Sequence, residues 1–478
     1  MAEGDALMLG VSGLRGVVGT TLTPQVIVRY TSAYAAWLHE RVGPKRAPRV
    51  VLGSDGRVGG KAVYMLTFAT LETSGCDVHE LGVAMTPTVG VVVDQMNADG
   101  GLQVTASHNP QQWNGLKPIV RDLKARKGAV SASAPSKAIA DQIIERYDAS
   151  VSTFQPWDSF GHTEGSEEDT LIHERKVIDL LKDMGVLAAI KKAKFAVALD
   201  TVAGSGRLFG ARFLEQLGCR VHELYPVKKN PDGIFPHAPE PTAANLKGLC
   251  AATKKSKAAV GFAQDPDADR LAIVDERGRY IGEEYTLVLA AKAMGEFGLL
   301  KKTSAMAVNL STSRMIEDVA AAYGTRVIRT PVGEANVVDA MKLEGCIIGG
   351  EGNGGVIWPR VTYIRDSLSA MGLVLALMAR AKQPLSELVD EVPAYAIEKQ
   401  KFALARKQDA RPAIEKIARA YRAERVDLQD GVRVDFPARC AWVHVRASNT
   451  EPIMRLIAEA PTQEAALGLM REVGGVLA

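Results

Sequence analysis

Through the first four-fifths of the chain one pattern keeps returning: a short β-branched or apolar run, a loop of Gly, Asp, Ser or Asn, and then a helical stretch. It recurs in RVVLGSDGR (49–57), FAVALDTVAGSGR (195–207), AAVGFAQDPDADR (258–270), SAMAVNLSTSR (304–314) and CIIGGEGNGG (346–355). Strands alternating with helices build α/β units around mostly parallel sheets. In such sheets ligand-binding loops gather at the carboxyl ends of the strands, so these loops are where chemistry is expected. The repetition is architectural, without the strict sequence repeat of a solenoid.

A chain of 478 residues is too long for one hydrophobic core and implies roughly three to four domains. The stretch VSTFQPWDSFGHTEGSEEDTLI (151–172) is polar and aperiodic and reads as the link between the first two units. A second break is expected around 280–285, after the strand LAIVDERG. A third falls near 393–398, behind a long helix of roughly 366–381. The tail departs from this alternation. It reads as a helix over 410–422, strands DGVRVDF and AWVHVRAS, a loop, strand PIMRLIAEA, and an amphipathic helix from about 462. The expected division is 1–155, 170–282, 283–395 and 396–478, the last a compact α+β unit.

Hydrophobic residues make up 47% and charged residues 24%, the balance of an ordinary globular protein. With 58 basic against 55 acidic residues the net charge is only +3, so no global field points to nucleic acid or an anionic membrane. Anion binding must therefore come from local clusters. Cys76, Cys219, Cys250, Cys346 and Cys440 lie far apart with no CxxC pair. They are expected to fill core space in a reducing cytoplasm rather than to form disulfides. MAEGDALMLG lacks the basic patch and apolar run of a signal peptide. The apolar stretches near 285–300 and 367–380 are interrupted by polar residues, so no membrane span is expected.

TASHNP (105–110) follows the apolar strand GGLQV and sets Ser107 among turn-forming residues, where its hydroxyl can be exposed. Alone it reads equally as a turn held by Ser and Asn side chains. A Ser–His hydrolase fits poorly: no GxSxG elbow is present, and His108, the immediate neighbour, is expected to point away. In DPDADR (265–270), Asp265, Asp267 and Asp269 alternate with small or turn residues, so three carboxylates can converge on one hard cation such as Mg²⁺. An acidic surface turn is the bland alternative, and Arg270 directly after the carboxylates argues against it. A calcium loop would use Glu276 at its twelfth position, but its sixth is Arg270 rather than Gly, and LAIV reads as a strand.

RASNTEP (446–452), with Arg455 beyond, joins a guanidinium to Ser448, Asn449 and Thr450 between two strands; it reads as a phosphate cradle or a polar hairpin. GGEGNGG (349–355) offers Glu351 in a glycine-rich loop that a ligand can approach closely, suited to vicinal hydroxyls. PVGEANV (331–337) puts Glu334 at a loop-to-helix junction, as a base or as an acid favoured at a helix start. GVSGLRG (10–16) and GSDGR (53–57) each place an Arg in a Gly/Ser loop.

TASHNP, DPDADR, GEGNGG and RASNTEP, in this order and at these spacings, closely resemble the α-D-phosphohexomutase superfamily of phosphoglucomutases, phosphomannomutases and phosphoglucosamine mutases. The resemblance runs from GVSGLRG to Arg455. It implies three related mixed-sheet α/β domains and a smaller C-terminal α+β domain around one central cleft. It further implies that Ser107 is a phosphoserine and that Asp265, Asp267 and Asp269, with a phosphoserine oxygen, bind one Mg²⁺. Lys117, in NGLK, and Glu334 match positions assigned acid or base work, and His108 and Arg270 join Ser107 in the catalytic set. Glu351 and Asn353 fall in the sugar loop. Arg446, Ser448, Asn449, Thr450 and Arg455 match the loop that grips the non-transferring phosphate, while Ser12, Arg15 and Arg57 line the cleft.

Asn353 replaces a frequent Ser of that family's sugar loop, Gly355 stands where many members have His, and Glu334 where some carry His. Val11 stands where Thr is frequent. The GEGNGG and VGEAN variants look most like the phosphoglucosamine or bifunctional phosphoglucose/phosphomannose branch. The expected activity is therefore hexose 1-phosphate/6-phosphate interconversion, most of all on glucosamine phosphate, with a hexose 1,6-bisphosphate as activator. The expected partner is the phosphosugar, in a cytoplasmic monomer or homodimer.

Overall fold

The computed structural model describes residues 6–403, 410–447 and 453–477. The first unit carries a seven-stranded sheet of β1 (Met8–Gly10), β2 (Gly13–Val17), β3 (Arg49–Ser54), β4 (Asp77–Val83), β5 (Gly100–Val104), β6 (Trp113–Val120) and β7 (Thr163–Glu164). Its order is β1-β2-β6-β5-β3-β4-β7. The second unit holds β8 (Ala196–Asp200), β9 (Arg220–Glu223), β10 (Val260–Gln264) and β11 (Leu271–Asp275), ordered β11-β10-β8-β9. The third holds β12 (Ala305–Asn309), β13 (Arg326–Thr330), β14 (Ile348–Glu351) and β15 (Gly355–Ile357), ordered β13-β12-β14-β15. The fourth is an antiparallel sheet of β16 (Ala396–Ala403), β17 (Arg425–Asp427), β18 (Val432–Phe436), β19 (Ala441–Ala447) and β20 (Ile453–Ala460), ordered β16-β20-β19-β18-β17.

The first three sheets share one four-strand plan. Strands β6-β5-β3-β4 correspond to β11-β10-β8-β9 and to β15-β14-β12-β13. In each, the inner pairings are parallel and the last is an antiparallel hairpin: β5 with β6, β10 with β11, β14 with β15. Parallel neighbours need a crossover helix, whereas antiparallel neighbours can be joined directly. The hairpin is thus the place in each unit where a short loop leaves the carboxyl end of a strand and returns at once. Those three hairpins carry TASHNP, DPDADR and GEGNGG, so one topological position, used three times, supplies three site loops.

Strands β5, β10 and β12 are buried along their whole length, which explains their continuous apolar runs. The helix Ser367–Ala381 is buried from Ser367 through Met378, with Asp366 as its N-cap accepting from the Leu368 and Ser369 amides at 2.9 and 3.1 Å. A helix apolar all round belongs in a core. This one lies in a single cluster that also takes Val177 and Phe213 of the second unit and Leu287 and Met306 of the third. The fourth unit has its own cluster, around Ile417, Val443, Leu456 and Leu469.

Two expectations need correcting. The link over 151–172 contributes β7, whose Thr163 and Glu164 pair in parallel with Val78 and His79; a two-residue polar strand at a sheet edge forms through backbone bonds and leaves no side-chain period to read. The cysteines do not all fill core space. Cys76, Cys219 and Cys346 are buried and Cys250 is half-buried, but Cys440 is exposed.

Candidate active site

Chain geometry around Ser107 is held by its neighbours. Ser107 has φ 48°, a left-handed conformation uncommon outside glycine, which persists where surrounding bonds over-determine it. Its amide donates to Thr105 Oγ1 at 2.8 Å, and Arg57 Nη2 donates to its carbonyl at 2.5 Å. Arg57 also donates from Nη1 to the Trp113 carbonyl and from Nε to Asp55 Oδ2, each at 2.8 Å. Expected among cleft-lining residues, Arg57 is 2% exposed and engaged with the backbone of the serine loop. Arg15 Nη1 reaches the Ala106 carbonyl at 3.3 Å and Asn109 Oδ1 at 3.1 Å. Ser12 lies exposed in the turn between β1 and β2.

The hydroxyl faces the acidic loop. Ser107 Oγ donates to Asp265 Oδ2 at 3.0 Å and accepts from Arg270 Nη2 at 3.3 Å. Asp265, Asp267 and Asp269 are fully buried, with one oxygen from each within 4.8 Å of the others. Thr86 Oγ1 donates to Asp267 Oδ2 at 2.6 Å, and Lys117 Nζ to Asp269 Oδ2 at 2.6 Å and Asp267 Oδ2 at 3.4 Å. Asp267 Oδ1 and Asp269 Oδ1 are buried with no hydrogen-bond partner among the described residues. Unsatisfied buried oxygens are costly, and hard oxygen donors converging in this way suit Mg²⁺, so the triad can hold a metal ion. Glu276, the residue a calcium loop would need, instead accepts from the Ser386 hydroxyl and amide.

Burial, then Asp267 and Asp269, push Asp265 well above the usual carboxylate range. For Asp269 burial acts the same way, but Arg365, Lys117 and Arg270 outweigh it and hold the group low. Burial would likewise lower Lys117, yet Asp269, Asp267 and Glu334 keep its ammonium above the ordinary lysine range. His108 does not point away: Nδ1 is 3.3 Å from Ser107 Oγ and accepts from Arg270 Nη2, while Nε2 is 3.3 Å from Glu240 Oε2. Burial, then Arg270 and Arg15, lower its pKa, so the ring stays neutral.

Glu351, at the end of β14, is 5% exposed; its Oε1 accepts from Asn309 Nδ2 at 2.9 Å and its Oε2 from Arg365 Nη1 at 2.7 Å. Asn353 Nδ2 stands 3.5 Å from Glu351 Oε2. Glu334 opens the helix Glu334–Glu344, and its Oε1 accepts from the Arg365 amide at 3.1 Å. Asp269, Glu334 and Glu351 therefore meet around one guanidinium, that of Arg365, and Lys117 shares Asp269 Oδ2 with it. Sequence reading missed that guanidinium, together with Thr86, Glu240 and Asn309. Arg365 sits in TYIRDS, outside any glycine-rich loop, and its one signal is the N-cap Asp366 beside it.

On the fourth unit Arg446 of β19 lies directly across from Arg455 of β20, which lies across from Lys401 of β16. Like charges directly opposite one another repel, so this row favours a bound anion. Lys401 was also missed. Arg446 Nη1 donates to Asp430 Oδ2 at 3.0 Å. A cavity of about 470 Å³ separates the row from the glycine-rich loop 349–355, lined by Glu351, Asn353, Lys399, Lys401, Arg446 and Arg455. Ser448, Asn449 and Thr450 lie outside the described residues.

Descriptions of the phosphoglucomutase/phosphomannomutase family match in chain order: alpha/beta/alpha domain I over residues 6–146, domain II over 177–278, domain III over 282–395 and the C-terminal domain over 399–474. A Thermococcus kodakarensis protein named phosphoglucomutase/phosphomannomutase is 34% identical over 465 residues, 96% of each chain. A Methanopyrus kandleri protein named "Probable phosphoglucosamine mutase" is 31% identical over 467 residues, 97% of this chain and 96% of that one. The crystal structure of a phosphoglucomutase/phosphomannomutase family protein from Burkholderia thailandensis superposes with a TM-score of 0.78 at 24% identity, covering 98% of both chains. At that identity it speaks for the fold.

Proposed function

The chain belongs to the phosphoglucomutase/phosphomannomutase family of phosphosugar mutases, and from that premise we propose that it interconverts hexose 1-phosphate and 6-phosphate through a phosphoryl group carried on Ser107. The observation that carries this reading is the Ser107 hydroxyl, 3.0 Å from a carboxylate of the buried aspartate triad and 3.3 Å from Arg270. A hydroxyl poised between hard-cation ligands and a guanidinium is where a transferring phosphoryl group needs charge neutralised.

Asp265, Asp267 and Asp269 would hold one Mg²⁺, which when bound offsets charge on the transferring group. Arg270 supplies donors to the phosphoryl oxygens beside Ser107. Arg446 and Arg455 hold the distal phosphate, and that binding energy places the reacting hydroxyl in line. Lys117, kept as an ammonium, suits proton donation to a leaving oxygen; Glu334 is the candidate acceptor of the sugar hydroxyl proton. The bisphosphate then turns over in the cleft and returns its other phosphoryl group to Ser107. A separate hydrophobic cluster in the fourth unit supports hinge motion near 393–398 during that turnover. Undiminished turnover after crosslinking the first and fourth units would contradict it. A free hexose 1,6-bisphosphate would recharge Ser107 whenever the intermediate escapes.

For the sugar, the GEGNGG and VGEAN loops and the Methanopyrus kandleri relative support glucosamine phosphate. The Thermococcus kodakarensis relative supports the second reading, glucose or mannose phosphate. Five cysteines scattered without a bridge support a cytoplasmic enzyme. Comparing kcat/KM for the glucosamine, glucose and mannose phosphates, with a bisphosphate and Mg²⁺ present, decides between the two readings. Ser107→Ala should abolish turnover of all three, and near-normal isomerisation at saturating substrate would overturn the serine mechanism.

A further inference from the structure

Arg365 touches three carboxylates from three separate segments: a loop, a strand end and a helix start. Nη2 donates to Asp269 Oδ2 at 2.7 Å, Nη1 donates to Glu351 Oε2 at 2.7 Å, and Nε lies 3.4 Å from Glu334 Oε2. Its own amide holds the other oxygen of Glu334 at 3.1 Å. One side chain thus joins the aspartate loop of the second unit to the sugar loop and the helix-start acid of the third. We propose that Arg365 is a positioning residue that fixes Glu334 and Glu351 relative to the metal-ligating aspartates, and that residue 355 is glycine because Arg365 occupies the space a side chain there would need. The proposal rests on the phosphosugar mutase reading above and extends it to a residue outside every motif.

The chemistry of the group defines the role. A guanidinium keeps its charge and presents donors in a planar fork, so Arg365 acts through charge and geometry and not as a base. Without it, carboxylates crowded in a buried cleft would repel and spread. Lys117 cannot replace it. Its ammonium is a single point, already on Asp269 Oδ2 at 2.6 Å and Asp267 Oδ2 at 3.4 Å, whereas the fork reaches Asp269 on one side and Glu351 on the other.

The base of the side chain is anchored from behind. The next residue, Asp366, caps its helix and lies with Oδ2 3.1 Å from His173 Nε2, while His173 Nδ1 is 2.9 Å from Thr88 Oγ1. Thr88, His173 and Asp366 are buried and come from the first, second and third units in turn. In front, a Cβ on Gly355 would stand 2.2 Å from Arg365 Cδ and 2.9 Å from Cγ. Gly355 has no positive φ to excuse it, so its requirement is room for this arginine.

The test is a double-mutant cycle on the full chain with Mg²⁺, hexose phosphate and bisphosphate, reading kcat, KM and thermal unfolding. Displaced reacting groups cost on the order of 100-fold, so Arg365→Gln should lower kcat by about that factor with a smaller change in KM. Arg365→Lys, which keeps the charge and loses the fork, should fall between Arg365→Gln and wild type. Gly355→Ala leaves every charge in place and should lower kcat by about 10-fold by pushing the arginine aside. For the cycle the arginine is cut to alanine, which removes the Cγ and Cδ that a residue 355 methyl would meet. Gly355→Ala combined with Arg365→Ala should be no worse than Arg365→Ala alone, because residues acting through one contact are non-additive. A kcat for Arg365→Gln within about threefold of wild type, a loss confined to KM, or losses that multiply in the double variant would each overturn the proposal. Should Arg365→Gln fail to fold, Gly355→Ala carries the test alone, and full activity in it overturns the proposal. Wild-type protein unable to isomerise any hexose phosphate would remove the mutase reading itself; active wild type with unaffected variants removes only the role of Arg365.

Discussion

Around Ser107 the polar groups are buried and mostly paired, Asp265 with the hydroxyl, Asp269 with Lys117 and Arg365, Arg57 with Asp55 and the loop carbonyls, leaving Asp267 Oδ1 and Asp269 Oδ1 open among the described residues. Around Arg446 three cations stand side by side across neighbouring strands, with Arg455 exposed, beside a cavity of about 470 Å³. The first region is organised before substrate arrives, whereas the second, on the proposed function, would be completed by a bound phosphate. That difference fits a mutase in which one end performs the same transfer in both directions while the other accepts the phosphate of either substrate. Preorganised charge suits the reaction, and a row of like charge suits capture of an anion.

If that contrast is right, changes at the serine end should remove turnover and changes at the cationic row should weaken it. Ser107→Ala should lower isomerisation by on the order of 10⁴-fold or more at saturating substrate. Next, Asp267→Asn should lower metal-dependent transfer by about 10³-fold, and chelation of the wild type should abolish an activity that added Mg²⁺ restores. Arg446→Ala should lower kcat/KM by roughly 10- to 100-fold, the share expected of a distal phosphate clamp, and inorganic sulfate should compete less well against that variant. A loss at Arg446 as deep as that at Ser107 would erase the distinction.

Stability should divide in the same way. Burial alone would raise Asp366, but His173, the Ser369 hydroxyl and the Leu368 amide outweigh it and hold the carboxyl below the usual range. A depressed carboxyl contributes its full stability above the unfolded pKa of about 3.9 and loses it as pH falls through the folded value. Asp366→Asn should cost about 3 kcal/mol at neutral pH, with the gap to wild type closing in acid, as followed by denaturant melts across pH. Arg455→Ala, an exposed change, should move stability by less than about 0.5 kcal/mol.

The sequence displayed the strand–loop–helix alternation, the central helix and the different build of the tail because each is a run of residues with a period or a breaker. Ser107, the three aspartates and Glu351 were legible because they sit in loops of Gly, Asn and Pro directly after apolar strands. Arg365, Thr86, Glu240 and Lys401 were not. Each is an inconspicuous residue of a strand, helix end or long loop, brought to the candidate site by a distant element or by cross-strand register. The equivalence of the three hairpins was hidden for a related reason: it resides in pairing direction, which no local pattern records.

The central claim is that Ser107 is a standing phosphoryl carrier, and the direct test is the intact mass of the protein after incubation with a hexose 1,6-bisphosphate and Mg²⁺, followed by mapping of the modified residue. One added phosphoryl group is expected, stable to acid, located on Ser107, discharged by excess hexose monophosphate and absent from Ser107→Ala. An unmodified chain that still isomerises hexose phosphates, or an acid-labile acyl phosphate on an aspartate, would contradict it.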